Sequence, residues 1–225
     1  MKKELTDLRL GVDNVIFSVD AQFNRLFVLL VKREQLPYKD YWGLPGTIVR
    51  QEESLEDAAY RILSEKIQLK NLYLEQLYTF SNRDQDSQVL YLSVSHFALL
   101  RYEETMLIGQ NASWHSLLEL PKLAFNHREI LNYGYKRLRN KLEYSPIAFE
   151  VLPELFTLNN LYQLYCTILG ENFSDYSNFR SRLLKFGFLT DSGTKAYVGI
   201  GRPATLYRFD PDAFAPLKDY PLLFV

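Results

Sequence analysis

One stretch of the chain places carboxylates and an arginine at helical spacing, directly after a turn. Leu44-Pro45-Gly46 forms the turn, and Glu53, Arg61 and Glu65 follow among apolar residues spaced as in an amphipathic helix. Glu53 and Glu65 offer the oxygen ligands that a hard cation such as Mg²⁺ takes in proteins. Arg61 can instead pair with Asp57 or Glu65, each four residues away on the same helix face. The residue types alone therefore leave two alternatives, a weak cation site and a structural ion pair.

These residues resemble the Nudix box, the loop–helix motif G-x5-E-x7-R-E-U-x-E-E-x-G-U of the nucleoside diphosphate hydrolases, where U is a bulky aliphatic residue. Glu53, Arg61 and Leu63 fix the register of the comparison. Four positions of the motif are then changed: Thr47 stands for the first glycine, Ile62 for the glutamate after the arginine, Lys66 for the second paired glutamate and Gln68 for the last glycine. The chain therefore carries a degenerate Nudix box.

The resemblance implies a diphosphate site that has lost its metal. In active Nudix hydrolases the helix glutamates coordinate Mg²⁺ or Mn²⁺, and these ions bridge the diphosphate. Ile62 offers no ligand, and Lys66 places an ammonium group where the cation would sit, so the two like charges would repel each other. We therefore expect no catalytic residue, no bound metal and no cofactor, and we predict that the chain is not an enzyme.

The Nudix fold implied by the resemblance carries a strand-lined cleft beside the box. A cleft without its metal can serve as a sensor for a small ligand. Lys32, Arg33, Trp42 and Phe80 could supply charge and stacking surface near it, and we predict them as ligand-binding residues. The alternative is that they are surface and core residues without such a role, and that Trp42 and Pro45 only pack the loop.

The elements that must position these residues are a mixture of strands and helices. β-rich runs predict two pairs of strands, at 12–19 with 26–32 and at 72–80 with 89–100. Ser54, with Asp57 three residues further on, predicts the start of a helix over the box. A second helix is predicted from Asn126 or His127 to about Leu142.

The remainder of the chain has the element order of a winged helix. Ser145-Pro146 interrupts the preceding helix, so we place the domain boundary there, with domains at 1–145 and 146–225. Two helices and two short strands follow: Thr157–Leu169, capped by Thr157 and ended by Gly170; about Ser174 or Asp175 to Phe186, ended by Gly187; and Phe188-Leu189 with Leu206–Phe209 around a glycine-rich stretch.

Composition excludes several classes of protein. With 225 residues, 47% hydrophobic, the chain can bury a core, and it lacks the composition of a disordered protein. No segment approaches the roughly 20 apolar residues of a membrane span, so we expect a cytoplasmic protein. Cys166, the only cysteine, is expected to be buried.

The net charge is −1, but Ser174 to Arg208 contains six basic and two acidic residues, which concentrates positive charge near one end.

Several spaced motifs resemble the C-terminal domain of the Nudix-related transcriptional regulators, the NrtR family. They are Val151-Leu152-Pro153-Glu154-Leu155-Phe156-Thr157-Leu158, Asn178-Phe179-Arg180, and Gly201-Arg202-Pro203-Ala204 before Tyr207-Arg208-Phe209. With the first domain, the resemblance covers about Val12 to Asp210. It implies an α+β protein, a Nudix-like α/β/α sandwich with a mixed sheet joined to a winged helix-turn-helix. It also implies a homodimer that binds a palindromic double-stranded DNA operator.

The second of these helices has the pattern of a recognition helix. Phe179, Leu183 and Phe186 form an apolar stripe that leaves polar side chains facing outward. Arginine and asparagine suit bidentate contacts with guanine and adenine, and lysine and arginine in a wing can reach phosphates. The predicted DNA-binding residues are Asn178, Arg180, Arg182 and Lys185 in the helix and Lys195 and Arg202 in the wing. A solvated basic helix without DNA is the alternative.

The leading interpretation is therefore a ligand-responsive DNA-binding transcriptional regulator. Many members of the resembled family respond to ADP-ribose and control NAD metabolism, while a branch in Bacteroidetes is tied to sugar utilisation, including L-arabinose. The degenerate box favours the sugar branch, because a diphosphate would lose its metal bridge, although Lys66 and Arg50 can neutralise phosphates directly. The rival interpretations are an active Nudix hydrolase of nucleoside diphosphate-linked compounds and a protein-interaction adaptor.

Overall fold

The structure of the protein is a computed structural model that describes residues 7–20, 24–66, 72–83, 89–101, 109, 111–170, 173–197 and 203–217. The side chains of Lys66 and Arg83 lie outside this description. The chain divides into two compact units, the first formed by Met1–Ser18 and Phe27–Tyr135 and the second by Val19–Leu26 and Lys136–Val225. Each unit is described by itself below.

The first unit is built from one sheet and two helices. Its strands are β1 (Leu8–Asp20), β2 (Arg25–Lys32), β3 (Trp42–Gly43), β4 (Gly46–Ile48), β5 (Glu75–Arg83), β6 (Leu90–Arg101) and β7 (Ala112–Ser116). The helices are α1 (Leu55–Lys66) and α2 (His127–Tyr144), and the division between the units falls inside α2. The strand order is β3-β2-β1-β6-β5, with β4 paired to β1 and β7 paired to β2. The class is α+β, as predicted.

The central strand β1 is buried on both faces because a helix covers each of them. Ile16 faces α1 and packs in one cluster with Ile62 and Leu63. Its neighbours Val15 and Phe17 point to the opposite face, since side chains alternate along a strand. There α2 approaches so closely that a Cβ on Gly134 would lie 3.0 Å from Val15. The α/β/α layering is the reason why β1 reads as an almost continuous apolar run.

Local capping explains where α1 begins. The Ser54 hydroxyl accepts a hydrogen bond of 3.0 Å from the Asp57 amide, and the Asp57 carboxylate accepts one of 2.6 Å from that hydroxyl. The predicted start of this helix is thereby confirmed. Asp57 is committed to Ser54 in this arrangement, which leaves the alternative Asp57–Arg61 ion pair unformed.

The second unit contains the helices and the hairpin of a winged helix. Its elements are α3 (Ile147–Glu150), α4 (Leu158–Leu169), α5 (Tyr176–Lys185), β8 (Leu189–Ala196), β9 (Ala204–Phe209), α6 (Pro211–Phe214) and a 3-10 turn at Ala215–Leu217. The strands β8 and β9 pair antiparallel, and Phe156 adds a bridge to Tyr207. Thr157 and Asp175 cap α4 and α5 through their side-chain oxygens, as the sequence predicts for α4 and for the start of α5.

Aromatic rings fill the core of the second unit. Tyr165 of α4 is fully buried and donates a hydrogen bond of 3.0 Å to the carbonyl of Leu142, and burial raises the pKa of its phenol. Phe188 lies among Phe149, Phe209 and Phe214, with ring centroids 5.3–6.1 Å apart. Cys166 is buried as predicted.

Two details differ from the sequence-based expectations. The short strands β3, β4 and β7 were not predicted. The strand β8 continues to Ala196 instead of ending after Leu189, because Gly193, at a φ of 72°, lies in an irregularity of the β8–β9 register. The boundary at 145/146 stays a prediction. Among the described residues no helix is long and apolar enough to cross a membrane.

Candidate effector cleft and nucleic-acid interface

A cleft of about 530 Å³ opens in the first unit beside the turn between β3 and β4. Its walls come from the end of β2, from Gly43–Gly46, from Glu65 of α1 and from His127 at the start of α2. The volume lies within the range of about 300–1,000 Å³ that small-molecule sites occupy. Lys32 and Arg33, which were predicted as ligand-binding residues, both line it.

Arg33 is held in place at the wall of the cleft. Its Nε donates a hydrogen bond of 3.1 Å to the carbonyl of Pro37, and its guanidinium lies 4.6 Å from the centre of the Phe125 ring. Among the described residues no carboxylate forms an ion pair with it. Burial lowers the pKa of the guanidinium, and the charge of Asp13 opposes that shift. A fixed, partly desolvated cation of this kind is suited to bind an anion.

Lys32 is less constrained than Arg33. Its ammonium group is 4.0 Å from the Asp40 carboxylate, and the side chains are 51% and 71% exposed. A pair so exposed to water contributes little to stability. Lys32 can therefore turn toward an anionic ligand at small cost.

His127 ties the turn of the degenerate box to the sheet. Its Nδ1 accepts a hydrogen bond of 2.8 Å from the Leu44 amide, and its Nε2 lies 3.6 Å from the Asp13 carboxylate. Burial lowers the pKa of the imidazole and Arg33 lowers it further, against the opposing charge of Asp13. The ring is therefore neutral at pH 7 with its proton on Nε2. A Cβ on Gly43 would lie 3.0 Å from Nδ1, so this contact also needs the glycine.

The sequence analysis missed the role of His127. It used the residue only as a possible first position of a helix. The partner Leu44 is 83 residues away, and no local pattern links the two positions. The position of His127 directly before a predicted helix was the one feature of the sequence that could have indicated this role.

Trp42 and Phe80 lie elsewhere in the first unit. Trp42 contacts His115 edge-on, with ring centroids 4.3 Å apart. Phe80 is on β5 at the far edge of the sheet and packs against Tyr78 and Tyr133. The structure thus brings Lys32 and Arg33 to the cleft and places neither aromatic residue among its walls.

Arg61, one of the charged residues that remain in the box, forms the predicted ion pair with Glu65 at 3.7 Å, but its main partner, Glu53, was not predicted. Arg61 donates to both carboxylate oxygens of Glu53, at 2.5 and 2.9 Å. The same carboxylate accepts the Arg50 amide at 2.9 Å. The hydrogen bond from Arg61 is the main reason why the pKa of Glu53 falls to about 2, and the pair raises the pKa of Arg61 in turn. This pair ties the turn before α1 to the helix.

The other described positions of the box do not fit a divalent metal. Ile62 is 2% exposed and belongs to the apolar cluster under α1. Glu65 lies 3.7 Å from Arg61 and 3.7 Å from Arg50, two cations that compete with a metal ion. Thr47 lies on β4, where it is the strand partner of Val12 on β1. Across the described ranges no group of three or more acidic, histidine or cysteine side chains could hold a metal ion.

The predicted recognition helix α5 exposes most of its polar side chains. Phe179 and Leu183 are buried, while Arg180, Arg182 and Lys185 are exposed. Asn178 is also exposed, and its side-chain amide donates to the Asp175 carboxylate, which caps the helix. The polar face is thus displayed as predicted, and Asn178 must leave Asp175 in order to contact a base.

Two serines at the centre of this face were absent from the sequence-based set. Ser177, Ser181 and Lys185 follow one another every four residues, opposite the buried stripe of α5. Short side chains at these positions allow a close approach of the helix backbone, and serine hydroxyls can contact base edges or phosphates. The basic pattern of the sequence did not indicate these two positions, because serine carries no charge.

The hairpin of β8 and β9 presents one of the two predicted wing residues. Lys195 is exposed on β8 opposite Thr205. Arg202 lies outside the described residues. Arg208 on β9 contacts Glu154 at 3.0 Å.

Together these features define a class of protein, a Nudix-type domain followed by a winged helix-turn-helix. Comparison with known proteins gives the same division: residues 7–133 match the NUDIX domain model, and residues 144–225 match the AraR C-terminal winged HTH domain model. The chain is 35% identical to the ADPR responsive transcriptional repressor NtrR of Acinetobacter baylyi over 216 residues, which are 93% of this chain and 82% of the relative.

Solved structures give the same result. The crystal structure of Shewanella oneidensis NrtR has a TM-score of 0.76 and 33% identity, over 95% of this chain and 98% of that one. The same protein complexed with a 27mer DNA is equally similar, with a TM-score of 0.76 at 32% identity over 95% and 97% of the two chains. Its NUDIX domain complexed with ADP ribose has a TM-score of 0.51 and 33% identity over 59% of this chain and 89% of that one. The chain belongs to the NrtR family of Nudix-domain transcriptional regulators.

Proposed function

We propose that this protein is a transcriptional repressor that releases its operator when ADP-ribose binds in the cleft of the Nudix domain. The observation that carries the proposal is Arg33, a fixed cation in the cleft with which no described carboxylate forms an ion pair. A diphosphate needs such a partner once the metal bridge is gone. The repressor of A. baylyi is ADPR-responsive by name, and the NUDIX domain of the Shewanella protein has been solved with ADP ribose.

This proposal replaces the preference for a sugar effector. The sequence analysis favoured L-arabinose because the degenerate box lacks a metal that could bridge a diphosphate. Arg33 and Lys32 offer direct charge to the two phosphates, so the absence of metal ligands does not argue against ADP-ribose. The winged-helix model that bears the name AraR concerns the DNA-binding domain and carries no information about the ligand.

Release of DNA by the effector tests the proposal directly. The full chain is bound to a labelled fragment of its own upstream region, and ADP-ribose or L-arabinose is titrated in. We expect ADP-ribose to release the fragment and L-arabinose to leave it bound. Arg33→Ala should bind the fragment normally but resist release, while Lys122→Ala, an exposed residue outside the cleft walls, should behave as the unmutated protein. Release by L-arabinose alone would contradict the proposal.

We propose that α5 binds the operator and that the wing contacts the backbone, in a homodimer that reads two half-sites one helical turn apart. Arg182→Ala should weaken operator binding roughly tenfold or more if the arginine contacts a base. Lys185→Ala should lower the slope of log K against log salt by about 1 if it contacts a phosphate. Lys39→Ala, exposed in the first unit, is the control. An affinity indifferent to salt would favour the adaptor interpretation.

We further propose that the Nudix domain does not hydrolyse its ligand. The buried Ile62 and the pairing of Glu53 with Arg61 support this part of the proposal, because they remove metal ligands from the box. Incubation of the full chain with ADP-ribose and Mg²⁺ should release no AMP above the buffer rate. Release of AMP that Glu65→Gln abolishes would identify a hydrolase instead.

A further inference from the structure

Three aromatic side chains form a partly exposed cluster beside the cleft. In this aromatic cluster Tyr38 contacts Tyr41 and Phe125, with ring centroids 5.6 and 4.8 Å apart. The three rings are 44%, 37% and 39% exposed. Phe125 connects the cluster to the cleft, because Arg33 lies over its face at 4.6 Å and the ring of His127 is 5.4 Å away. Rings of this size are usually covered more completely.

The backbone under two of these rings is strained. Tyr38 has a φ of 64° and Phe125 a φ of 50°, which is the left-handed region that bulky L-residues avoid. Such strain persists where the surrounding structure enforces it, and it concentrates at ligand sites. Burial does not account for it here, since both rings remain over a third exposed. The loop and the start of α2 therefore hold aromatic surface toward solvent at an energetic cost.

We propose that the aromatic cluster is the stacking site for the planar base of the effector, with Arg33 binding the adjacent phosphates. This inference rests on the proposed function, since it assigns the purine of ADP-ribose to these rings. The guanidinium contacts one ring of the cluster, that of Phe125, so a ligand that carries phosphates next to a base could reach both groups. Aromatic rings stack on any base, and Arg33 adds both charge and a second planar surface.

A second aromatic cluster in the same unit provides a matched control. Tyr78, 54% exposed, contacts Phe80 and stacks on Tyr133 at 5.2 Å. Tyr78 and Phe80 lie on β5, three strands away from β2, after which Arg33 follows. Loss of an exposed ring at Tyr78 therefore changes the aromatic content of the protein in the same way, without touching the proposed site.

The test measures binding of ADP-ribose and of its fluorescent 1,N6-etheno analogue to the full chain. Tyr38→Leu and Phe125→Leu should each weaken ADP-ribose binding roughly tenfold, as expected for the loss of one stacked ring. The etheno base should be quenched on binding to the unmutated protein and to Tyr78→Leu. Quenching at saturating protein should be largely lost in Tyr38→Leu. A ring with only a structural role would not change the fluorescence of the bound base.

The outcomes separate this inference from the proposed function. If the unmutated protein binds ADP-ribose and both leucine variants bind it with unchanged affinity and quenching, the stacking site is wrong and the effector stands. If the unmutated protein does not bind ADP-ribose, both proposals fail together. Binding of the operator by each variant confirms that the variant is folded. If Phe125→Leu does not fold, the result for Tyr38→Leu alone tests the stacking site, because Tyr38 is exposed.

Discussion

Glu53 and Arg61 form an ion pair in a chain in which other acidic positions of the Nudix box are changed. The pair is 12% and 15% exposed and connects the turn before α1 to the helix itself. The sequence analysis foresaw that Arg61 would pair with Glu65, and the two lie 3.7 Å apart, but its other candidate was Asp57 and it missed Glu53. Helical spacing suggested those two, whereas Glu53 reaches Arg61 from the turn, eight residues away. Partners that depend on the path of a loop cannot be deduced from helix periodicity.

The Glu53–Arg61 pair makes stability depend on acid pH. The pKa of Glu53 is lowered from its usual 4.5 to about 2, so the folded state favours the ionised carboxylate. Its contribution is complete above pH 4.5 and is lost as the pH falls toward 2. We expect the urea midpoint of Glu53→Gln to lie below that of the unmutated protein at pH 6. The two midpoints should converge between pH 4.5 and 2. Glu119→Gln, an exposed residue, should show no such convergence.

Strain at Tyr38 predicts a conflict between stability and binding. Asparagine tolerates the left-handed region better than tyrosine, so Tyr38→Asn should relieve strain. The same change at Tyr41, which has an ordinary φ, removes a comparable ring without that relief. We expect Tyr38→Asn to be the more stable variant by about 1 kcal/mol in urea unfolding, and to bind ADP-ribose more weakly than the unmutated protein. Equal stability of the two variants would show that the φ of Tyr38 carries no cost.

At the scale of elements, α1 illustrates how a helix can lose metal ligands and keep its position. Ile62 occupies the side of the helix that meets Ile16 and Leu29 of the sheet. The side chain gains apolar burial where a carboxylate would have to be solvated or bound to metal. Ile62 therefore belongs to the core and is not among the walls of the cleft.

Ile62→Glu should destabilise the protein by about 3–5 kcal/mol, the cost of a buried charge without a partner. Ser64→Glu introduces the same charge on an exposed position of the same helix and should change stability little. Thermal unfolding at pH 7 measures both. If the Ile62→Glu variant were as stable as Ser64→Glu, the carboxylate would have reached water, and the assignment of this position to the core would be wrong.

The elements that local rules define were the ones predicted from sequence. Ser54, Thr157 and Asp175 cap their helices through side chains only a few residues away, and all three helix starts follow. The strands β3, β4 and β7 are two to five residues long and exist because distant strands pair with them. Such short segments have no periodicity to detect, so the turn that shapes the cleft was visible only as Leu44-Pro45-Gly46.

At the scale of the whole molecule, thermodynamic linkage constrains how the two proposed ligands interact. The factor by which saturating ADP-ribose weakens operator binding must equal the factor by which saturating operator weakens ADP-ribose binding. Two titrations of the full chain measure these factors independently. We expect equal factors, and Arg33→Ala should weaken ADP-ribose binding. Unequal factors would mean that ADP-ribose binds at a further site or that the oligomeric state changes during the titration.

Cys166 gives the winged-helix domain a built-in chemical reporter. It is the only cysteine of the chain, and it is 6% exposed in α4. A thiol-alkylating reagent can reach it only when this domain opens, so the rate of alkylation measures the open fraction without any engineered label. If operator DNA binds only the closed domain, its addition should slow alkylation, and Arg182→Ala should largely remove that protection.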